Sequence, residues 1–368
     1  MLTIDARYLA QPPSGIPRYT RNLLDAIRQA DPARQVRVIV HPDGPLSEPL
    51  ASHGPFDIVV EDAFPRSPTE LWRWRGRLAR LKPTVLHCPD VFAPLWPGPR
   101  VMVTMHDAIP LLPSLDQPGG RSKKQRLRPL WRAWVRRQLR RADAVLTVSQ
   151  HSADDLHRLL NIRESKLHVL HNAVPPPTED NRATEAETDA TPYLLCVGRF
   201  DPYKNAVGLV EAFAQIATPL RLIFVGPTDP RYAEAKDRAM ALNLEDRVDF
   251  LGSVDDATLD ELYRGAAALV MPSRYEGFGL PAIEAMHRGV PVVASNGGAL
   301  PEVVGDAAMV CDAANPDALA KAILRVLNHP DERERLTRAG HRRADAFAPA
   351  RIGVAYLEFV DRLSASGV

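Results

Sequence analysis

Glu276 and Glu284 stand eight positions apart around a turn that carries two glycines, in the segment MPSRYEGFGLPAIEAM. An apolar run ends at Met271, the loop holds Gly277 and Gly279, and Pro281 follows where the first turn of a helix accepts it. Glycines let a main chain come close to a ligand, and a helix start directs unbonded N–H groups and a partial positive charge towards it. A phosphate or a sugar oxygen suits such a device. Carboxylates beside an anion-binding turn make chemical sense when they accept hydrogen bonds from hydroxyls, and vicinal sugar hydroxyls are the natural donors. Two glutamates near a turn are common on any solvated surface; the string around these two singles them out.

A second segment, CVGRFDPYKN, places Arg199 just past a strand end, Lys204 five residues on, and Asn205 where it caps or positions the next helix. Two cations there form a clamp for a diphosphate and neutralise charge that grows on a leaving group. A third, FLGSVDDATLDELYRGA, reads as a strand ending at Gly252 and a helix starting near Ala257, with Asp255 or Asp256 as a candidate N-cap. In IDARYLAQPPSGIPRYTRNLLDAI a strand, a Pro/Gly loop and a helix follow one another, and Gly15 would let that loop come close to a phosphate. VTMHDAIPLLP ends a strand at His106 and Asp107; His106 there would be placed to hydrogen-bond a ligand hydroxyl. His87 and Ser149 also end expected strands and rank below His106 as groups lining the acceptor side, together with Asp107.

The segment EGFGLPAIEAM and the following GVPVVAS resemble the E-x7-E signature of retaining GT-B glycosyltransferases of family 4, and GRFDPYKN is similar to that family's G-R-x-x-x-x-K-N motif. The likeness covers most of the chain and is strongest over 193–305. It implies that Glu276 contacts hydroxyls of the transferred hexose, that Glu284 holds the ribose, and that the amides of Phe278, Gly279 and Leu280 bind sugar and phosphate. It further implies that main-chain groups near Val254 and Asp256 cradle the nucleobase. The catalytic candidates are His106, Glu276, Arg199 and Lys204. The donor-binding set is Gly15, Arg199, Lys204, Val254, Asp256, Glu276, Gly277, Phe278, Gly279, Leu280 and Glu284. The resemblance implies hexosyl transfer with retention, in which the departing phosphate takes the acceptor's proton. The VDDAT turn and the R-Y-T-R-N-L helix look like mannosyltransferases, so GDP-mannose is the expected donor, with UDP-glucose and UDP-N-acetylglucosamine as alternatives. A nucleotide-sugar epimerase, a phosphorylase or a non-catalytic nucleotide-sugar-binding scaffold of the same fold would be expected to lack part of the Arg199, Lys204, Glu276 and Glu284 set, or to add a pyridoxal-phosphate lysine.

These residues need elements that end at one place. Short apolar runs recur at 36–40, 57–60, 84–87, 101–105, 144–148 and 167–170, then at 193–197, 221–225, 248–251, 267–271, 291–294 and 308–311, alternating with amphipathic helical stretches. Runs of this kind fit strands buried on both faces of parallel sheets. Between the halves lies HNAVPPPTEDNRATEAETDATP, too polar to bury a core. The expected class is α/β of the GT-B type: two Rossmann-like doubly wound domains facing a cleft, with a C-terminal helix crossing back to the N-terminal domain. The expected boundaries are an acceptor-side domain over 1–172 plus the helix within 350–368, a linker over 173–191, and a nucleotide-sugar domain over 192–349. Ile352, Ala355, Tyr356, Phe359 and Leu363 give that last helix an apolar face.

Composition excludes other classes. The three cysteines, Cys88, Cys196 and Cys311, sit apart in apolar runs, which reads as small core residues in a reducing compartment. There is no Cys/His cluster with ligand spacing and no convincing D-x-D pair, so no metal and no cofactor are expected, the sugar nucleotide being a substrate. No G-x-G-x-x-G follows the first strand, against a dinucleotide dehydrogenase. No secretory leader pattern or bilayer-spanning run is seen, so a cytoplasmic location is expected. Net charge is +1, yet residues 1–174 carry 26 Lys and Arg against 16 Asp and Glu. Two stretches, 71–82 and 121–141, interleave Arg with Trp and Leu, as helices resting on an anionic membrane would. The same pattern also suits helices packed on a sheet with arginines in water. The expected partners are therefore a nucleotide diphosphate sugar, a saccharide or lipid-diphosphate-linked saccharide, and the inner face of the plasma membrane; no recognition module for nucleic acid is present.

Overall fold

The computed structural model describes residues 1–11, 15–44, 56–63, 70–94, 98–112, 115, 123–177, 191–227 and 233–365. Most of the expected linker, 178–190, lies outside them, as does the Pro/Gly loop before Gly15. The chain divides into two units: Met1–Leu111 with Arg121–Ala173 and Phe347–Val368, and Leu112–Gly120 with Val174–Ala346.

The first unit is built on a parallel sheet of seven strands. They are β1 (Leu2–Asp5), β2 (Val36–Val40), β3 (Phe56–Val60), β4 (Val85–Cys88), β5 (Arg100–Thr104), β6 (Ala144–Thr147) and β7 (Leu167–Val169), in the order β3-β2-β1-β4-β5-β6-β7. The central strands are buried along their whole length, which is why they appear in the sequence as unbroken apolar runs and not as alternations. Helices α1 (Gly15–Ala30), α2 (Glu70–Leu81), α3 (Lys123–Arg141) and α4 (Gln150–Leu160) connect them. The order reverses between β1 and β4, the kind of place where ligands bind beyond the carboxyl ends of the strands in open α/β sheets.

The last helix, α12 (Pro349–Ala365), belongs to this unit and packs along α1. It buries Ile352, Gly353, Tyr356, Leu357 and Val360. Of the face expected from spacing, Ile352 and Tyr356 are buried, Phe359 is half-buried and Ala355 is exposed, so the stripe is rotated towards Gly353, Leu357 and Val360. The rotation follows from close approach. A Cβ on Gly353 would lie 2.0 Å from the Ala26 carbonyl oxygen, so the two backbones touch there. Arg34 pairs with Asp361 across the same contact.

The second unit repeats the scheme with six parallel strands, β8 (Tyr193–Val197), β9 (Arg221–Val225), β10 (Val248–Gly252), β11 (Ala268–Met271), β12 (Val292–Ser295) and β13 (Ala308–Cys311), in the order β10-β9-β8-β11-β12-β13. Its helices are α5 (Ala206–Phe213), α6 (Glu234–Ala241), α7 (Asp256–Gly265), α8 (Leu280–His287), α9 (Leu300–Val304), α10 (Pro316–Asn328) and α11 (Pro330–Asp345). The core gathers Leu194, Leu209, Phe213, Leu222, Phe224, Val270, Leu319 and Ile323 around the sheet. Each such side chain contributes about 1.5–3 kcal/mol on burial. The order reverses between β8 and β11, and the loops after these two strands carry the GRFDPYKN and EGFGLPAIEAM motifs.

Candidate active site

Beyond β8 the chain passes Gly198 and Arg199, makes a 3-10 turn over Pro202–Lys204, and enters α5 through Asn205 in the left-handed region at φ 57°. Beyond β11 it runs through Pro272 and Ser273 to Glu276, then enters α8 from Gly279 at φ 103°, with Pro281 in the first turn. The two loops are joined by main chain, the Arg274 N–H donating to the Tyr203 carbonyl at 2.7 Å. They are joined by charge as well. Lys204 Nζ donates to Glu276 Oε1 at 2.6 Å, and Ser273 Oγ donates to the same oxygen at 2.7 Å. Glu276 is only 7% exposed, and a buried carboxylate is costly unless donors such as these meet its oxygens.

The turn is held from behind by a second glycine pair. Gly298, at φ 63°, sits so close to Glu276 that a Cβ there would lie 2.4 Å from both the nitrogen and the carbonyl oxygen of Glu276. Ala299 N–H donates to that carbonyl at 2.8 Å, and Ser295 Oγ donates to the Ser273 carbonyl. The Glu276 backbone is thus fixed on both sides. Gly277 to Leu280 lie at the N-terminal end of α8, where the first N–H groups of a helix have no intrahelical acceptor.

Glu284, one turn into α8, is 5% exposed and receives the Tyr263 hydroxyl on Oε2 at 2.8 Å. Arg288 Nη1 donates to the Glu284 carbonyl at 2.8 Å, its guanidinium lies 5.0 Å from the Tyr263 ring centroid, and Asp260 pairs with both Arg288 and Arg264. Arg199 is exposed and forms an ion pair with Asp201 at 3.1 Å. Cys196 lies beneath the Lys204–Glu276 pair, and burial pushes its thiol up to about 12, so it behaves there as a small neutral residue. Asp255, not Asp256, is the N-cap of α7, accepting from Thr258 N–H at 2.7 Å; Asp256 and the half-buried Val254 stay at the mouth of this turn. The Asn205 side chain does not cap α5 but donates to the Ala313 carbonyl at 2.7 Å, tying the loop after β8 to the segment after β13.

In the first unit, Gly15 is the exposed first residue of α1. His106 leaves β5 with Nε2 at 2.9 Å from the Pro89 carbonyl, and its ring meets Tyr19 edge-on at 4.7 Å. A carbonyl only accepts, so Nε2 carries the proton and Nδ1 is the basic nitrogen. Burial holds this imidazole below the usual histidine range. Asp107 closes its own turn by accepting from Ile109 N–H at 2.9 Å. Two of the acceptor-side expectations are corrected. His87 has no exposed surface, and both ring nitrogens are engaged, Nδ1 with Tyr356 Oη at 2.9 Å and Nε2 with Thr104 Oγ1 at 2.8 Å. It is a tie between the sheet and α12, driven down to about 3 by burial, and offers nothing to an acceptor. Ser149 is likewise buried; it caps α4 by accepting from Ser152 N–H at 3.1 Å and donating to Ser152 Oγ at 3.0 Å.

The two basic stretches have different surroundings. In 71–82, Trp74 is buried between the guanidinium groups of Arg7 and Arg77, at 5.1 Å and 4.6 Å. Arg77 and Arg80 pair with Glu61, and Arg73 with Asp62, so acids at the end of β3 offset this helix. In α3, which holds no acidic residue, Leu127 and Leu130 are 55% and 68% exposed, and Trp131 and Trp134 stack at 5.0 Å beside Phe92. Residues 121 and 122 lie outside the described set. No helix among the described residues is long and apolar enough to cross a membrane, and no group of three or more His, Cys, Asp or Glu among them is disposed to hold a metal ion.

Residues that the sequence reading did not single out complete the site: Ser273, Tyr263, Arg288 with Asp260, and the Gly297–Gly298 pair. Ser273 lay within the quoted motif, three residues before Glu276; the others join positions too far apart in sequence to declare themselves.

Comparison with known proteins follows the same division. The family model for glycosyl transferases group 1 matches residues 177–343, and that for glycosyltransferase family 4 matches 13–176. The chain is 33% identical over 282 residues to the O-antigen chain mannosyltransferase B of Escherichia coli, covering 73% of this chain and 71% of that protein. It is 33% identical over 235 residues to the MMP alpha-(1->4)-mannosyltransferase of Mycolicibacterium hassiacum, covering 59% and 54% of the two chains. Among solved structures, sucrose-phosphate synthase from Thermosynechococcus elongatus superposes with a TM-score of 0.80 over both full chains at 24% identity. HepE of Anabaena, solved with UDP and glucose, gives 0.76 at 20% identity over 98% of this chain and 99% of that one. The architecture expected from the motifs is present, and the chain belongs to the family 4 (group 1) glycosyltransferases of GT-B fold.

Proposed function

We propose that this glycosyltransferase moves a hexose, with retention and without a metal ion, from a nucleotide diphosphate donor bound at the β8–β11 reversal. The observation that carries the reading is the buried Glu276 held by Lys204 beside the start of α8. In it, Glu276 accepts hydroxyls of the hexose and Glu284 those of the ribose. Amides at Gly277, Phe278, Gly279 and Leu280 bind sugar and phosphate, Gly15 lets the first unit's loop approach the phosphates, and Val254 and Asp256 border the base.

Chemically, the bond from the anomeric carbon to the diphosphate oxygen breaks as the acceptor oxygen bonds to the same face. The acceptor proton passes to the departing phosphate. Arg199 and Lys204 stabilise the charge that collects there, a role that a metal ion fills in other enzymes. His106 takes part through Nδ1, the nitrogen left by its bond to Pro89, by accepting from a sugar or acceptor hydroxyl. Asp107 stands next to it on the acceptor side.

GDP-mannose is the favoured donor. Mannosyltransferases recur among the relatives, including the O-antigen chain mannosyltransferase RfbU of Salmonella typhimurium and a GDP-mannose-dependent phosphatidylinositol monomannoside mannosyltransferase of Corynebacterium glutamicum. HepE, solved with UDP-glucose, keeps the uridine donors in the comparison. The acceptor is a saccharide or a lipid-diphosphate-linked saccharide, in envelope or exopolysaccharide assembly, reached from the inner face of the plasma membrane. The exposed leucines of α3, a helix whose own sequence carries no acidic residue, favour it over α2 as the membrane contact. A thermal-shift screen with GDP-, UDP- and ADP-sugars, followed by a turnover assay, tests the donor. A larger shift and turnover with a UDP-sugar would replace GDP-mannose, and tight binding without release of nucleotide would replace the enzyme by a scaffold. Flotation with anionic liposomes at low salt tests the membrane contact; no binding would end it.

A further inference from the structure

Tyr263 is buried on α7 and donates its hydroxyl to Glu284 Oε2 at 2.8 Å. The ring itself has little freedom. Arg288 lies 5.0 Å from its centroid, and that guanidinium is fixed by Asp260, with Nε and Nη2 2.8 Å and 2.6 Å from Oδ1. The same arginine, the C-cap residue of α8, donates Nη1 to the Glu284 carbonyl, so α7 meets the Glu284 side chain directly through Tyr263 and its main chain only through the Arg288 that Asp260 holds. Asp260 is shared with Arg264, which closes the assembly within α7.

We infer that Tyr263 is a positioning residue for donor recognition: its hydroxyl sets the Glu284 carboxylate in the orientation from which that carboxylate receives the ribose hydroxyls. This rests on the proposed ribose role of Glu284. A phenylalanine would fill the same volume, so the hydroxyl is not there for packing. A buried carboxylate accepts only, and it needs donors. A cation in this place would compete with the ligand's hydroxyls for the carboxylate charge. A phenol donor fixes the glutamate torsions, which preorganises the carboxylate at small cost. The two glutamates thereby differ: Glu276 is held by a cation and a serine, Glu284 by a phenol.

The test is the ribose preference of the protein, not its affinity alone. GDP and UDP are titrated calorimetrically beside their 2′-deoxy and 3′-deoxy counterparts, in the wild type, Tyr263→Phe, Glu284→Gln and Tyr193→Phe. The last variant makes the same chemical change where the phenol donates to the Leu262 carbonyl. Hydrogen bonds to a charged acceptor make the wild type prefer the ribonucleotide by about tenfold or more. Tyr263→Phe is expected to reduce that ratio at least about threefold, while Tyr193→Phe retains it. If Tyr263→Phe weakens all nucleotides equally, or leaves the ratio intact while Glu284→Gln abolishes it, the role of Tyr263 is overturned and the ribose role of Glu284 stands. If the wild type itself shows no preference, the reading of Glu284 falls and the inference with it.

Discussion

Replacing Gly298 by alanine tests how tightly the site depends on one backbone contact. The new Cβ would start 2.4 Å from the Glu276 nitrogen and carbonyl oxygen, and side-chain carbons do not approach nearer than about 3.0–3.4 Å. Because the obstacle is backbone, Glu276 must retreat by about 0.6–1 Å. An L-residue at φ 63° adds about 1–2 kcal/mol of local strain. Overpacking adds about 1–3 kcal/mol, so the loss of stability is about 2–5 kcal/mol. For a unit of this size the melting temperature falls by roughly 4–20 °C. Displacing a catalytic group by about 1 Å costs about 100-fold in turnover. The assay measures kcat for donor turnover well below the melting transition, with nucleotide diphosphate affinity measured in parallel. The expectation is a large loss of kcat with affinity held within about threefold, because Glu284 does not touch Gly298. Wild-type kcat in a folded Gly298→Ala protein would refute the claim that this contact places Glu276.

Other perturbations separate the remaining roles. Glu276→Ala should lower sugar transfer about 100-fold or more while nucleotide diphosphate binding is nearly unchanged, and Arg199→Ala should weaken donor binding and turnover together; equal loss of binding in both would contradict the division of labour. EDTA should leave activity unchanged, and a large loss would contradict the metal-free proposal. His87 is neutral in the fold, at about 3, while the unfolded chain protonates near 6.5. The unfolded state therefore binds the extra proton between these values, and stability should fall by up to about 1.4 kcal/mol per pH unit below pH 6.5. His87→Gln should flatten this slope in thermal melts from pH 7 to 4, and an unchanged slope would deny His87 its share. Gly76→Ala, at an exposed position of α2 where a Cβ meets nothing within 4 Å, should raise stability by about 0.5–1 kcal/mol; a lower melting temperature would show a constraint not visible in the structure.

The strands were legible because both faces of each sheet are covered, which leaves unbroken runs such as that of β11. The positions of Arg199, Lys204, Glu276 and Glu284 were legible because each follows a strand at the order reversal, and local spacing fixes such positions. Which atoms meet was not. Lys204 and Glu276 were read as separate ligands of a donor, yet they bind each other across 72 residues. His87 and Ser149 were placed by the rule that strand ends line a site, but that rule does not say which way a side chain points. His87 turns inward because Tyr356, 269 residues away, supplies a partner. Tyr263 and Gly298 were missed for the same reason: a tyrosine in a helix and a glycine in a turn take their roles from neighbours brought by other elements.

The packing of α12 on α1 also has a consequence for synthesis. The chain completes the sheet of its first unit, builds a whole second unit, and only then supplies the helix that covers α1. Roughly 170 residues separate the two stages, and with α12 itself included the ribosome takes about 10–40 s to cross them. Through that interval the apolar face of α1 waits without its partner, so the second unit matures first and the first is finished last. Hybrids that exchange the N-terminal half between relatives would have to carry α12 from the same parent, since Gly353 and the Ala26 carbonyl fit only as a matched pair.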